Sequence, residues 1–306
     1  MAVLRLPVRR RNGGISQPFA PGANVPTVRK DRFTLGFSPC PNDTFIFDAL
    51  VNGRIDTEGL TFEPTLADVE ELNRKALRGE LDVTKVSYSA FGSLTARYKL
   101  LNAGSALGRG VGPLLVRAQP DGENQASAIA TVAIPGHYTT ANYLLGLAFP
   151  DLSERTEVLF SDIEDCVLDG TFDAGLLIHE NRFTYRERGL ELIRDLGDYW
   201  EETTGYPIPL GGIAIKRTVA EDQQQQIDRI LRRSVEYARA HPQASMDYVK
   251  VHAQAMDEEV MRQHIDLYVN EFTVDLGEDG RAAIRHFITD GRAKGLLEPG
   301  GEDYIV

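Results

Sequence analysis

His179 is the residue in this chain best placed to do chemistry. It closes the apolar run Gly175-Leu176-Leu177-Ile178 and precedes Glu180-Asn181-Arg182, so a buried strand should open into solvent at this point. An imidazole in that position is partly desolvated, titrates near neutral pH and can reach a ligand, which is what a general base requires. A strand-end histidine can equally be a bystander, and its standing comes from its company. Lys85-Val86-Ser87 ends another β-type run and offers a cation and a hydroxyl to an anionic or polyhydroxylated ligand. Thr139-Thr140-Ala141 opens a helical pattern in which one threonine caps the helix. The second hydroxyl and the free backbone N–H groups are then left facing outward. Ser38-Pro39-Cys40-Pro41-Asn42-Asp43-Thr44 forms a stiffened turn into a further apolar helix, with Asn42 or Asp43 as its cap. A helix opening of that kind suits an anionic group.

These residues need a frame that brings strand ends and helix openings together. From Asp31 onward short apolar runs alternate with helical patterns. Strands are expected at 33–37, 60–64, 82–87, 113–117, 131–134, 157–160, 173–178 and 207–215. Helices are expected after the Pro41 turn and at 68–77, 89–98, 139–149 and 162–168. Beyond Val219 every segment reads as helix: 223–240, 242–252, 258–268 and 278–294. Strand–helix units, a second similar set and a helical return predict an α/β protein of two lobes joined by two crossovers. Residues 31–117 with 210–306 would form the first lobe and 118–209 the second, with residues 1–30 a disordered basic extension. Ligands of open α/β sheets bind beyond the carboxyl ends of the strands. The cleft between the lobes should therefore be lined by 38–44, 85–89, 136–141 and 179–182. The hinge is expected near Arg117–Gln119 and Pro209–Gly212, with His179 and Arg182 closing against Lys85 and Ser87. Gly108, Gly110 and Gly112 open no helix, so they do not form a dinucleotide fingerprint.

Composition narrows the function classes. The 306 residues are 42% hydrophobic and 25% charged, ordinary for a globular protein with real cores. Net charge is -12, and Arg5, Arg9, Arg10, Arg11, Arg29 and Lys30 lie in an N-terminal stretch without acidic residues. The remainder is thus more acidic still, which argues against nucleic acid as a partner. No apolar stretch approaches membrane-spanning length, and no secretory apolar region opens the chain, so a cytoplasmic protein without membrane association is expected. The two cysteines, Cys40 and Cys166, are expected to be reduced and structural. His137 is the second candidate histidine, whereas His241, His252, His264 and His286 fall in the helical tail and read as surface or packing residues. No histidine pair has metal-ligand spacing with a carboxylate helper, so no metal is expected.

Several long strings resemble one known family. They are Gly36-Phe37-Ser38-Pro39-Cys40-Pro41-Asn42-Asp43-Thr44-Phe45-Ile46-Phe47, Thr84-Lys85-Val86-Ser87-Tyr88 and Ala106-Leu107-Gly108-Arg109-Gly110-Val111-Gly112-Pro113. Thr139-Thr140-Ala141 and Ile178-His179-Glu180-Asn181-Arg182-Phe183-Thr184-Tyr185 follow in the same order. From about Phe33 onward the chain resembles the 1,4-dihydroxy-6-naphthoate synthases of the futalosine route to menaquinone. The resemblance implies a periplasmic-binding-protein-like (type II) fold and a carbon–carbon lyase. The implied small-molecule substrate is cyclic dehypoxanthine futalosine, converted to 1,4-dihydroxy-6-naphthoate without a cofactor. It further implies His179 as general base and Lys85, Val86, Ser87, Thr140 and Ala141 as substrate-binding residues. The basic tail is outside the family pattern, and no role is implied for His137. The competing reading is a non-catalytic solute-binding protein of the same two-lobed class for a small carboxylate; it would want export and no base. A ligand-sensing regulator would want a fused DNA-binding module.

Overall fold

The computed structural model describes residues 27–119, 129–253 and 257–306. In chain order, β1 (Arg32–Phe37), α1 (Pro41–Val51), β2 (Thr61–Leu66), α2 (Val69–Arg78), β3 (Val83–Ser87), α3 (Tyr88–Gly92), β4 (Tyr98–Leu100) and β5 (Ala106–Gly108) come first. A middle set follows: β6 (Leu114–Ala118), β7 (Thr131–Ile134), α4 (Thr140–Ala148), β8 (Glu154–Glu157), α5 (Ile163–Leu168), β9 (Ala174–Leu177), α6 (Asn181–Thr184), β10 (Leu190–Asp195) and α7 (Leu196–Thr204). The chain returns through β11 (Ile208–Lys216) and ends in α8 (Glu221–Ala240), α9 (Pro242–His252), α10 (Glu258–Tyr268), α11 (Glu271–Val274) and α12 (Gly277–Ala293).

Two sheets carry the structure. The first has the order β2-β1-β3-β11-β4, with β5 also on β11; the second has the order β10-β6-β9-β7-β8. In the first, β1 runs parallel to β2 and β3, and the returning β11 is antiparallel to β3, β4 and β5. In the second, β7 is parallel to β8 and β9, while β6 is antiparallel to β9 and β10. The two-lobed α/β arrangement read from the residue pattern is present. Among the described residues no helix is long and apolar enough to cross a membrane.

Local chemistry explains most boundaries. Pro41 takes the first position of α1, where its missing N–H and fixed φ cost nothing. Every residue of α1 from Pro41 to Leu50 is buried, so this helix is enclosed on all sides, its Phe45, Ile46, Phe47 and Leu50 packing into the core between the first sheet and α8, α9 and α10. α2 is capped by Asp68, whose carboxylate accepts from the N–H groups of Glu70 and Glu71, and it stops at the left-handed Gly79.

Several expectations change. The helix expected over 89–98 is the short α3, because Tyr98 turns inward to β4 and donates its hydroxyl to the Leu81 carbonyl (2.8 Å). The strand expected at 157–160 lies earlier, as β8, and a 3-10 turn (Phe160–Asp162) follows it. β10 and α7 had no counterpart in the reading of the chain. β6 pairs with β9 and β10, so Leu114–Arg117 stand in the second sheet rather than with residues 31–113. The disordered extension expected over 1–30 falls largely outside the described residues, but its last part is engaged. The Val28 N–H donates to the Thr218 carbonyl (2.7 Å), and Lys30 pairs with Asp82 (2.6 Å).

The chain crosses between the sheets at residues 109–113 and 205–207, and not at 117–119 or 209–212, which lie at the end of β6 and within β11. Arg109 ties the two crossings together, donating to the Gly205 carbonyl (2.9 Å) and pairing with Glu201 (3.1 Å). Gly112 and Gly197 meet back to back: a Cβ on Gly112 would lie 2.2 Å from the Gly197 backbone. Backbone cannot step aside as a flexible side chain can, so Gly112→Ala should cost about 1–3 kcal/mol, seen as a lower urea midpoint at unchanged slope. A parental midpoint would mean that the crossing is loosely packed.

Candidate active site

The interlobe cleft holds about 670 Å³ of free space, part of it open to solvent. One wall comes from Ser38 and the first turn of α1 (Asn42, Asp43), the end of β3 (Lys85, Ser87) and β11 (Leu210, Gly211). The facing wall comes from the start of α4 (Thr139, Thr140, Ala141) and the turn after β9 (Ile178, His179). Tyr268, at the end of α10, also lines the cleft, with Val69, Ala106, Val111 and Pro113 adding apolar surface.

At the floor lies a buried ion pair. Lys85 Nζ donates to Asp43 Oδ1 at 2.6 Å, with the two side chains 7% and 1% exposed. Asp43 is otherwise saturated: Oδ2 accepts from the Ser38 N–H (3.1 Å) and hydroxyl (2.8 Å), and Oδ1 accepts from the Asn42 amide (2.9 Å). The expected cap at Asn42 or Asp43 is therefore absent. Cys40 stands at the N-cap without a side-chain bond, and Asp43 is spent on the turn and on Lys85. Beside this pair, Ser87 is clamped by Asn73 of α2. The Asn73 amide donates to Ser87 Oγ (3.1 Å), and its oxygen accepts the Ser87 N–H (2.8 Å). Because Ser87 Oγ already accepts, its own proton is left to donate into the cleft.

The opposite wall is built on the opening of α4. Thr139 caps that helix, accepting from the Asn142 N–H (3.2 Å) and donating to the Gly136 carbonyl (2.8 Å). Thr140 does not present a spare hydroxyl as expected, since it donates to the Leu210 carbonyl of β11 at 2.7 Å and so pins α4 to the first sheet. What this helix end offers the cleft is the unpaired backbone N–H of its first turn at Thr140 and Ala141. Val86 does not line the cleft: it points away into the core, and its backbone is held in register with Gly212. Arg182 is likewise turned away, paired with Asp195 (2.7 Å) and donating to the Gly112 carbonyl, so it stands among the residues of another surface hollow. His137 is exposed beside Glu157, outside the cleft.

His179 occupies left-handed backbone space (φ 59°). For a residue with a side chain this costs of order 1–3 kcal/mol, and such positions cluster at functional sites, with His, Asn and Asp the usual occupants. Its ring meets Phe160 edge-on (centroids 5.1 Å) and lies 6.0 Å from the ring of His264. It does not titrate near neutral pH as expected: burial pushes its pKa down to about 4, while Asp43 pulls it upward and Lys85 opposes that pull. The ring is thus neutral at ordinary pH and able to accept a proton. Among the described residues no group of three or more His, Cys, Asp or Glu side chains could hold a metal ion.

Sequence reasoning missed Asn73 and Tyr268. Asn73 was discoverable, because it falls in the buried stripe of α2 with Leu72 and Ala76, and a buried amide demands partners. Tyr268 lies in the tail helices, and no local signal connects those to the cleft.

Breaking the floor pair strands a buried charge. Asp43→Ala should cost about 3–5 kcal/mol by urea unfolding, more than an ordinary surface ion pair returns. A loss below about 1 kcal/mol would show that Lys85 finds water or another partner.

Comparison with known proteins follows the same lines. Residues 33–293 match the family model described as menaquinone biosynthesis. The 1,4-dihydroxy-6-naphthoate synthase of Thermus thermophilus is 48% identical over 272 residues, covering 89% of this chain and 98% of that protein. The enzyme of the same name from Streptomyces coelicolor is 45% identical over 281 residues, covering 90% and 98%. Among solved structures, a protein from Archaeoglobus fulgidus superposes with a TM-score of 0.82 at 36% identity, covering 88% of this chain and all of that one. The periplasmic aliphatic sulphonate binding protein of Escherichia coli superposes with a TM-score of 0.61 at 10% identity, covering 88% and 89%, which shows the periplasmic-binding-protein-like fold alone. The chain belongs to the menaquinone-biosynthesis enzyme family that includes these 1,4-dihydroxy-6-naphthoate synthases.

Proposed function

We propose that this protein converts cyclic dehypoxanthine futalosine to 1,4-dihydroxy-6-naphthoate, with His179 as the general base. The observation that carries the reading is a neutral imidazole, held in strained left-handed backbone at the cleft wall, in a chain nearly half identical to two synthases of that name.

In this reading the substrate carboxylate is received by the N–H groups of Thr140 and Ala141 at the start of α4. The Ser87 hydroxyl and the Lys85 ammonium serve oxygen atoms on the other side, with Asp43 and Asn73 holding those two residues in place. His179 takes a proton made acidic by an adjacent carbonyl, and the electrons released expel the sugar-derived fragment as the ring system becomes aromatic. A well-placed base contributes about 10²–10⁴-fold, so positioning and polar stabilisation supply the remainder. Thr140 supports the site as the pin between α4 and Leu210, with its backbone rather than its hydroxyl turned to the ligand.

Incubating the purified protein with the cyclic substrate and following the naphthoate chromophore tests the activity; its absence would refute the assignment. His179→Asn keeps a residue that tolerates left-handed backbone, and should leave substrate binding within a few-fold while removing about 10²–10⁴ of kcat. Turnover near the parental value would rule out His179 as base. Ser87→Ala should raise KM, because a hydrogen bond to a charged group contributes about 1.5–3 kcal/mol.

The pH dependence has a defined sign. His179 is lowered to about 4 from 6.5, so the active neutral form persists until the pH falls toward 4, and kcat/KM should decline only there. The unfolded chain binds that proton first, so stability drops as pH falls from 6.5 to 4 and is fully present above 6.5. An acid limb of kcat/KM centred near 6.5 would contradict a desolvated base.

A further inference from the structure

His264 lies on α10, in the helical tail where the residue pattern suggested packing or surface. It is completely buried, at 0% exposure, and neither ring nitrogen has a hydrogen-bond partner among the described residues. Proteins rarely leave a buried imidazole without partners, because an apolar side chain of similar shape would serve packing better. The ring is not in an indifferent place. It lies 6.0 Å from the His179 ring at an interplanar angle of 29°, and 4.7 Å from the ring of Tyr268, four residues along the same helix face. His179 and Tyr268 both line the cleft. The unpartnered imidazole is thus a fully buried ring next to two rings of the cleft wall, one of them the proposed base.

We propose that His264 is a positioning residue for His179, holding its ring toward the cleft and supplying an uncharged nitrogen to the imidazolium formed when His179 takes the substrate proton. The inference rests on the reading of His179 as base. His264 suits the part because burial and the neighbouring His179 and Lys85 all hold it neutral. A second cation behind the base would oppose proton uptake, whereas a neutral imidazole has a lone pair to offer. The charged groups acting on the two rings are Asp43 on α1, Lys85 on β3 and Asp68 before α2, with the Phe160 and Tyr268 rings packed against them. Asp43 is saturated by Ser38, Asn42 and Lys85, whereas the acceptor nitrogen of His264, like the buried Glu180 Oε2, has no partner among the described residues.

The test compares His264→Phe, which keeps a flat ring and removes both nitrogens, with His264→Gln, which restores a polar group. Melting temperature, kcat, KM and the nitrogen-15 NMR titration of His179 are measured for each. We expect His264→Phe to melt at or above the parental temperature, because a buried polar group without partners has been removed. Its kcat should fall at least tenfold with KM within twofold, and the His179 titration should move down by about one unit, a tenfold weaker proton affinity. His264→Gln should recover part of both effects, and it stands in if the Phe variant does not fold. A Phe variant with parental kcat and an unmoved His179 titration would overturn the proposal and leave His264 a packing residue. The titration requires no substrate. If the parent fails to turn over the cyclic substrate while the titration still shifts, the functional reading fails and the coupling between the rings stands.

Discussion

The site depends on the buried pair of Asp43 and Lys85. Two charges taken out of water cost several kcal/mol each, and the arrangement holds because every lone pair of Asp43 is used. The pair fixes the turn between β1 and α1 to the end of β3, and thereby sets the cleft floor. It also sets the electrostatics above the floor. Asp43 favours an imidazolium at His179 and Lys85 opposes one, so the two charges largely offset each other and burial decides the outcome. A lone aspartate there would raise the proton affinity of the histidine, and a lone lysine would add a free cation to the cleft.

The second constraint is how the lobes meet. The Thr140 hydroxyl reaches the Leu210 carbonyl, the Ser89 hydroxyl reaches the Tyr138 carbonyl at 2.5 Å, and Arg74 pairs with Glu157 at 2.6 Å. The Glu70 carboxyl accepts from the Tyr138 N–H at 3.1 Å, and burial beside Glu157 pushes its pKa up to about 7. These bonds cross the cleft rim, where a base that must work away from water benefits from closure. The crossings themselves are held by Arg109 and by the contact of Gly112 with Gly197, so motion between the lobes has few residues in which to occur.

Much of this was legible in the chain, for identifiable reasons. Apolar runs ending at Ser87 and His179 announced strand ends, and Thr139-Thr140 announced a helix opening, because capping and burial are local rules. The two lobes followed from the order of such units. What escaped depended on distant partners. The hydroxyl of Thr140 is spent on a carbonyl seventy residues away, and Arg182 is drawn off by Asp195. β6 joined the second sheet because its partners β9 and β10 lie there, which no pattern within Leu114–Ala118 could reveal. His264 and Tyr268 reach the site only through the packing of α10 against α1 and β5.

The central claim is that a ligand sits between the opening of α4 and the floor pair, facing a neutral His179. A crystal structure of the His179→Asn variant with the cyclic substrate tests it most directly. The account predicts the carboxylate on the N–H groups of Thr140 and Ala141, an oxygen on the Ser87 hydroxyl, and the substituted side chain facing the carbon that loses its proton. A substrate bound outside this cleft, or bound in it with that carbon turned away from position 179, would contradict the account.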